Sequence, residues 1–255
     1  MYGDRPEPVE AARTFVAARF PEASVAFVGG SVLTEHRTPT SDLDVVVVVG
    51  EDVTVADSGM RAPYRETFEH DGWVVEAFVH TRSSLDRFWA SDAERRVCTL
   101  LRLCLESEVL VDRDGAADEV RTVATRLMAQ GPPPFTEAER ALARYRLTDL
   151  LDDMAGCDRE DELVYLAGAV VNEVASLALV SAGHWAARGK ALARALRAVE
   201  PDLAERLVNG HRHVVVYGDT AVLHRAAVDV LLRVGGPLMD GFRAGGDRPA
   251  DAADG

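Results

Sequence analysis

Gly29-Gly30-Ser31, a polar stretch running through Pro39, and then Asp42-Leu43-Asp44-Val45-Val46-Val47-Val48-Val49 form the part of the chain whose reading decides the fold. Residues 43–49 are a nearly continuous β-branched run, as expected of a strand covered on both faces at the centre of a sheet. Residues 24–28 form a shorter strand that runs into the glycine turn. Side chains two apart on a strand project from one face, so Asp42 and Asp44 set two carboxylates side by side at the edge of an apolar element. Two like charges so placed repel. The pair becomes favourable when a divalent cation sits between them, and hard oxygen ligands suit magnesium, which binds one or two carboxylates together with substrate phosphates. Without Cβ atoms at Gly29 and Gly30 the backbone amides can approach a phosphate, and a helix starting at Ser31 adds its dipole.

Further along the chain, residues 64–69 and 73–79 flank His70-Asp71-Gly72, a strong hairpin signal, so the sheet mixes pairing directions. Glu76 interrupts the second of these runs, among Trp73, Val74, Val75, Ala77, Phe78 and Val79. Buried there without a partner it would cost several kcal/mol, so it calls for a metal, a cationic substrate amine, or Arg65 across the hairpin. Taken singly each feature has a plain reading: Gly-Gly-Ser as a simple turn, Asp42 as a loop cap, Asp-x-Asp as a solvated edge. Taken together, in this order, they outline a site for phosphoryl or nucleotidyl transfer in which Asp42, Asp44 and Glu76 converge.

The rest of the chain supplies the frame. An amphipathic helix over 8–20 is ended by Pro21. A helical pattern over 84–107, broken near Ser91, leads to a strand at 109–111 and a helix over 116–130. Gly131 and Pro132, Pro133, Pro134 halt regular structure and read as a linker. Thr136 with Glu139 forms a capping box ahead of a periodic segment reaching Met154, and helical periodicity continues to Val234, with residues 214–217 as a strand-like exception. The expected class is α+β: a domain over 1–131 with a mixed sheet flanked by helices, a helical bundle over 135–244, and a flexible tail over 245–255 rich in Asp, Ala and Gly.

Composition narrows the function. Of 255 residues 47% are hydrophobic and 27% charged, which rules out most disordered readings and allows a sizeable core. Acidic side chains outnumber basic ones 42 to 28, a formal charge of −14, which argues against gripping duplex nucleic acid and fits a cationic partner or substrate. Cys98, Cys104 and Cys157 show no metal or disulfide spacing and read as reduced thiols. No uninterrupted apolar run approaches the roughly 18 residues of a membrane span and no targeting segment opens the sequence, so a cytoplasmic protein is expected. The acidic series Asp149, Asp152, Asp153, Asp158, Glu160, Asp161 and Glu162 either attracts a polyamine-like sugar or, more ordinarily, forms a solvated face. Glu173, beside Asn172, stands at the polar end of an apolar helix. His211 and His213, with Tyr217, read as residues of a polar connection.

Gly29, Gly30 and Ser31 followed by Asp42 and Asp44, with Glu76 on a later strand, resemble the signature of the polymerase-beta-like nucleotidyltransferase superfamily over residues 20–112. The chain beyond Pro134 is more loosely similar to the helical domain of bacterial aminoglycoside adenylyltransferases. The stretch around Gly189-Lys190 is similar to one whose Gly-Lys pair holds nucleotide phosphates in the streptomycin and spectinomycin branch. The resemblance implies that Asp42 and Asp44 bind Mg2+ bridging the phosphates of ATP, that Gly29, Gly30 and Ser31 hold phosphates with Lys190, and that Glu76 is either a third metal ligand or the base on the acceptor hydroxyl. The implied function is transfer of AMP from ATP onto a hydroxyl of a small molecule, such as an aminoglycoside-type antibiotic. The alternative is a nucleotidyltransferase-like antitoxin or regulatory protein that modifies or binds a protein partner. Polymerisation of nucleic acid is disfavoured, because the acidic balance and the want of basic, aromatic-rich patches give a strand little to hold.

Overall fold

The computed structural model describes residues 5–55 and 58–243, so the tail over 245–255 lies outside the described residues. The chain divides into two compact units between Pro132 and Pro133. The first is built on strands β1 (Val25–Gly29), β2 (Leu43–Val49), β3 (Tyr64–His70), β4 (Trp73–Thr81) and β5 (Glu108–Asp112), with helices α1 (Pro8–Arg19), α2 (Arg82–Glu94), α3 (Thr99–Leu105) and α4 (Ala116–Gln130). The sheet order is β3-β4-β2-β1-β5. β2 and β4 pair in parallel and the other pairs are antiparallel, as an α+β sheet of mixed direction requires. The valine strand is central, and Val45 to Val49 are buried irrespective of which face they point to. Asp71 and Gly72 both take positive φ, 49° and 79°, the backbone of a two-residue hairpin turn.

Strand alternation separates two faces. Leu43, Val45, Val47 and Val75, Ala77, Val79 join Phe15 and Val16 of α1 in one core. Asp44, Val46, Glu76, Phe78 and His80 belong to the opposite face, along which α2 packs on β4 and α3 on β1 and β2. The break in the helical pattern over 84–107 falls at Arg95 to Cys98 rather than near Ser91. Arg96, at φ 57°, turns the chain there, while the Ser91 carbonyl still accepts from the Arg95 amide at 3.3 Å. The Thr81 hydroxyl and Ser84 form a capping box that starts α2 directly from the end of β4.

The second unit is helical: α5 (Glu137–Gly156), α6 (Glu160–Ser181), α7 (Gly189–Val199), α8 (Pro201–Tyr217) and α9 (Ala221–Arg233). The capping box is present at the start of α5, where the Glu139 amide donates to Thr136 Oγ1 and the Thr136 amide to Glu139 Oε2. By length and composition α6 could cross a bilayer, but Leu163, Ala167, Val170, Val174 and Ala178 pack into the core of this unit. Residues 214–217 are not a strand. They are the last turn of α8, with Val214 buried against the core, Val215, Val216 and Tyr217 exposed, and Gly218 in left-handed backbone ending the helix. Three adjacent valines mimic a strand, but only the residue on the inward helical face is buried.

Candidate functional site

The site forms where three chain segments meet in register. Gly29, the last residue of β1, pairs with Asp44, the second residue of β2, and Asp44 pairs in turn with Glu76 of β4. Asp42 lies two residues before Asp44. One carboxylate oxygen from each of Asp42, Asp44 and Glu76 lies within 4.8 Å of the other two, and all three residues are half-buried. Three anionic oxygens at that spacing repel one another, and the cheapest way to relieve them is a hard cation accepted in common.

Two glycines shape the approach. A Cβ on Gly29 would stand 3.1 Å from Leu103 Cδ2, a tight contact that would make the Leu103 side chain of α3 give way at the end of β1. Gly30 takes φ 88° and ψ −173°, a region open essentially to glycine, and a Cβ there would fall 2.1 Å from Asp44 Oδ2. Space beside the carboxylate is thus kept by glycine alone. The donor set and the cradle fit a divalent metal.

Ser31 opens a single 3-10 turn, Ser31–Leu33, rather than a helix. The dipole expected from a helix at this point is therefore missing, since one turn sums few peptide dipoles. The Ser31 hydroxyl lies 3.0 Å from Ser41 Oγ, and the Thr38 amide donates to Ser41 at 2.9 Å, so hydroxyls tie the connection back to the residue before Asp42.

Glu76 already has a partner. Arg65 Nη2 donates to Glu76 Oε2 at 2.5 Å, diagonally across the β3–β4 hairpin, and the Glu76 side chain keeps 24% of its exposure. Of the three partners expected for Glu76, Arg65 is the one in place, and Glu76 also completes the acidic cluster. The Arg65 guanidinium offsets part of the repulsion among these carboxylates.

Other residues singled out in the sequence belong to the second unit. Lys190 is exposed in the first turn of α7, in the second unit. The acidic series from Asp149 to Glu162 is exposed, and Arg159 pairs within it with Asp161 and Glu162. Asn172 donates to the Gly168 carbonyl within α6. His211 and His213 lie on α8, not in a connection, and His213 sits 3.6 Å from Asp219.

No protein-family model matches the chain. No curated protein matches it either. Among solved structures it is similar to a nucleotidyltransferase-like protein from Exiguobacterium sibiricum 255-15, at 15% identity and a TM-score of 0.42, over 89% of this chain and 73% of that chain.

The sequence reading missed the residues that continue beyond Glu76 on the same face. Phe78 and His80 come next at the strand period of two, and Asp92 and Arg95 come from the far end of α2. Extending the alternation past Glu76 would have found the first two. The others required the path of α2 back over the sheet.

Proposed function

We propose that this protein is a magnesium-dependent nucleotidyltransferase that moves AMP from ATP onto a hydroxyl of a small molecule. The observation that carries the reading is the in-register row Gly29, Asp44, Glu76 with Asp42 beside it, three carboxylates within 4.8 Å next to a glycine at positive φ. Asp42 and Asp44 hold the cation, and Gly29, Gly30 and Ser31 present backbone amides and a hydroxyl to the phosphates. When bound, the cation neutralises charge developing on the transferring phosphoryl group and on the leaving group. Glu76 then orients the acceptor hydroxyl and takes its proton as the oxygen attacks the α-phosphorus. One P–O bond forms to the acceptor, the bond to the β-phosphate breaks, and pyrophosphate leaves. Glu76 is assigned the base role because Asp42 and Asp44 already provide the two carboxylates that magnesium commonly takes. Lys190 joins the reading as a phosphate ligand, on the resemblance of Gly189-Lys190 alone. An aminoglycoside is the acceptor that the same resemblance suggests.

Water can replace an unknown acceptor in the test. Wild-type protein should slowly convert ATP to AMP and pyrophosphate, monitored by phosphorus NMR, only when magnesium is present. Equal ATP affinity and equal turnover in the wild type, Asp42→Asn and Asp44→Asn would overturn the assignment. Mass spectrometry for a product heavier by one AMP, over a panel of hydroxylated antibiotics including aminoglycosides, then identifies the acceptor.

A further inference from the structure

A cavity of about 410 Å3 lies on the sheet face that carries Glu76. Its floor is Phe78 and His80, the next two residues on that face. Phe88 and Asp92 of α2 close one side, and Leu100 and Leu103 of α3 the other. Arg65 belongs to both places, since it lines the cavity and donates to Glu76. Leu103 likewise reaches the Gly29 end of the acidic row. The cavity and the carboxylates are therefore neighbours within one unit.

We infer that this cavity is the acceptor site, and that it takes a flat, apolar ring compound presenting a hydroxyl toward Glu76, not a polycationic sugar. The inference rests on the proposed transfer of AMP. Its volume is in the range of small-molecule pockets, whose walls are mainly hydrophobic with a few placed polar groups. Phe88 stands edge-on to His80 at 4.9 Å, so two rings form an aromatic corner on which a planar group can stack. The charges lining the cavity do not favour ammonium groups. Its one carboxylate, Asp92, is 8% exposed and is engaged by Arg95 at 2.7 Å, and Arg65 is engaged by Glu76, so the lining carries paired charges and no free carboxylate to receive an ammonium group. Burial pushes the His80 imidazole down to about 4, so it is neutral at physiological pH and adds a hydrogen-bonding group without charge. A polycation here would lose its water to a largely apolar lining with no free carboxylate to replace it, whereas an uncharged ring would not.

The test uses the whole protein, with naphthylethanol as the apolar alcohol and kanamycin as the polycation, and Phe88→Ala and Leu100→Trp as variants. Phe88 is 44% exposed, so its truncation leaves the fold intact even if the cavity-filling Leu100→Trp does not. Ligand-detected NMR should show naphthylethanol bound by the wild type, weakened about tenfold or more by either folded variant. Kanamycin should not compete, and with Mg-ATP the alcohol should gain one AMP. No binding of naphthylethanol, binding that neither variant weakens, or displacement by kanamycin would overturn the pocket. If that happens while Mg-ATP still binds, only the acceptor assignment falls. If the alcohol binds the cavity but the protein binds no Mg-ATP, the transfer reading fails and takes the acceptor role with it.

Discussion

Asp44 stands in the central strand with Gly29 opposite it on one neighbour and Glu76 on the other, and each contact predicts a different response to substitution. Asp44→Asn and Asp42→Asn remove one charge from a repelling group. Turnover should fall by more than the roughly 10- to 100-fold usual for losing a supporting contact to a metal ligand, while the melting temperature without metal stays level or rises. A pyrophosphate assay beside a thermal melt checks both. Gly30→Ala must place a methyl in occupied space at φ 88° and should destabilise the fold by about 1–3 kcal/mol, read by urea unfolding. Arg65→Ala frees Glu76 from its ion pair and leaves three carboxylates without that compensation. Cation affinity, titrated calorimetrically with magnesium, should therefore increase. Glu76→Gln separates its two roles. A base is expected to lower the rate by roughly 100- to 10,000-fold with Mg-ATP affinity nearly intact, and a large loss of that affinity would make Glu76 a metal ligand instead.

At the scale of elements, the strand-to-helix corner from β4 into α2 carries the buried His80. Its folded-state pKa, pushed down by burial to about 4, lies below the ordinary value of 6.5, so the unfolded chain binds the proton more readily. The stability that neutral His80 permits is complete above about pH 6.5 and is lost as the pH falls from there toward 4, by up to about 3 kcal/mol. Urea midpoints measured over that window should decline less steeply in His80→Gln than in the wild type. The long helix α5 depends instead on its start. Thr136→Ala breaks the side-chain arm of the capping box and should cost about 1 kcal/mol, seen as a lower urea midpoint at unchanged slope. Helix α2 shows why an element's end matters to a site: Asp92 and Arg95, which line the cavity, stand at its end beside the turn at Arg96.

Over the whole molecule, the two units keep separate cores, one joining Phe15 to the sheet valines and the other joining Val170, Leu207 and Leu223 among the helices. Short-range rules made part of this legible in the residues alone. The valine strand at the sheet centre, the Asp-Gly hairpin and the capping box at Thr136 are each fixed by alternation, turn chemistry or capping within a few residues. The convergence of Asp42, Asp44 and Glu76 was expected because a carboxylate in an apolar strand needs a partner, while the β2–β4 register that sets Glu76 beside Asp44 is a tertiary pairing. Residues 214–217 misread as a strand because composition cannot tell three valines on a helix end from three in a ladder until one face is buried. The turn at Ser31 shortened, and the helix break moved from Ser91 to Arg96, because tertiary packing, not local propensity, sets such boundaries. The Arg65–Glu76 pair was legible across the hairpin, but that α2 and α3 enclose a cavity beside it was settled by tertiary packing alone. Those contacts join residues far apart in the chain, and their geometry depends on the angle at which helices cross the sheet, which no local pattern encodes.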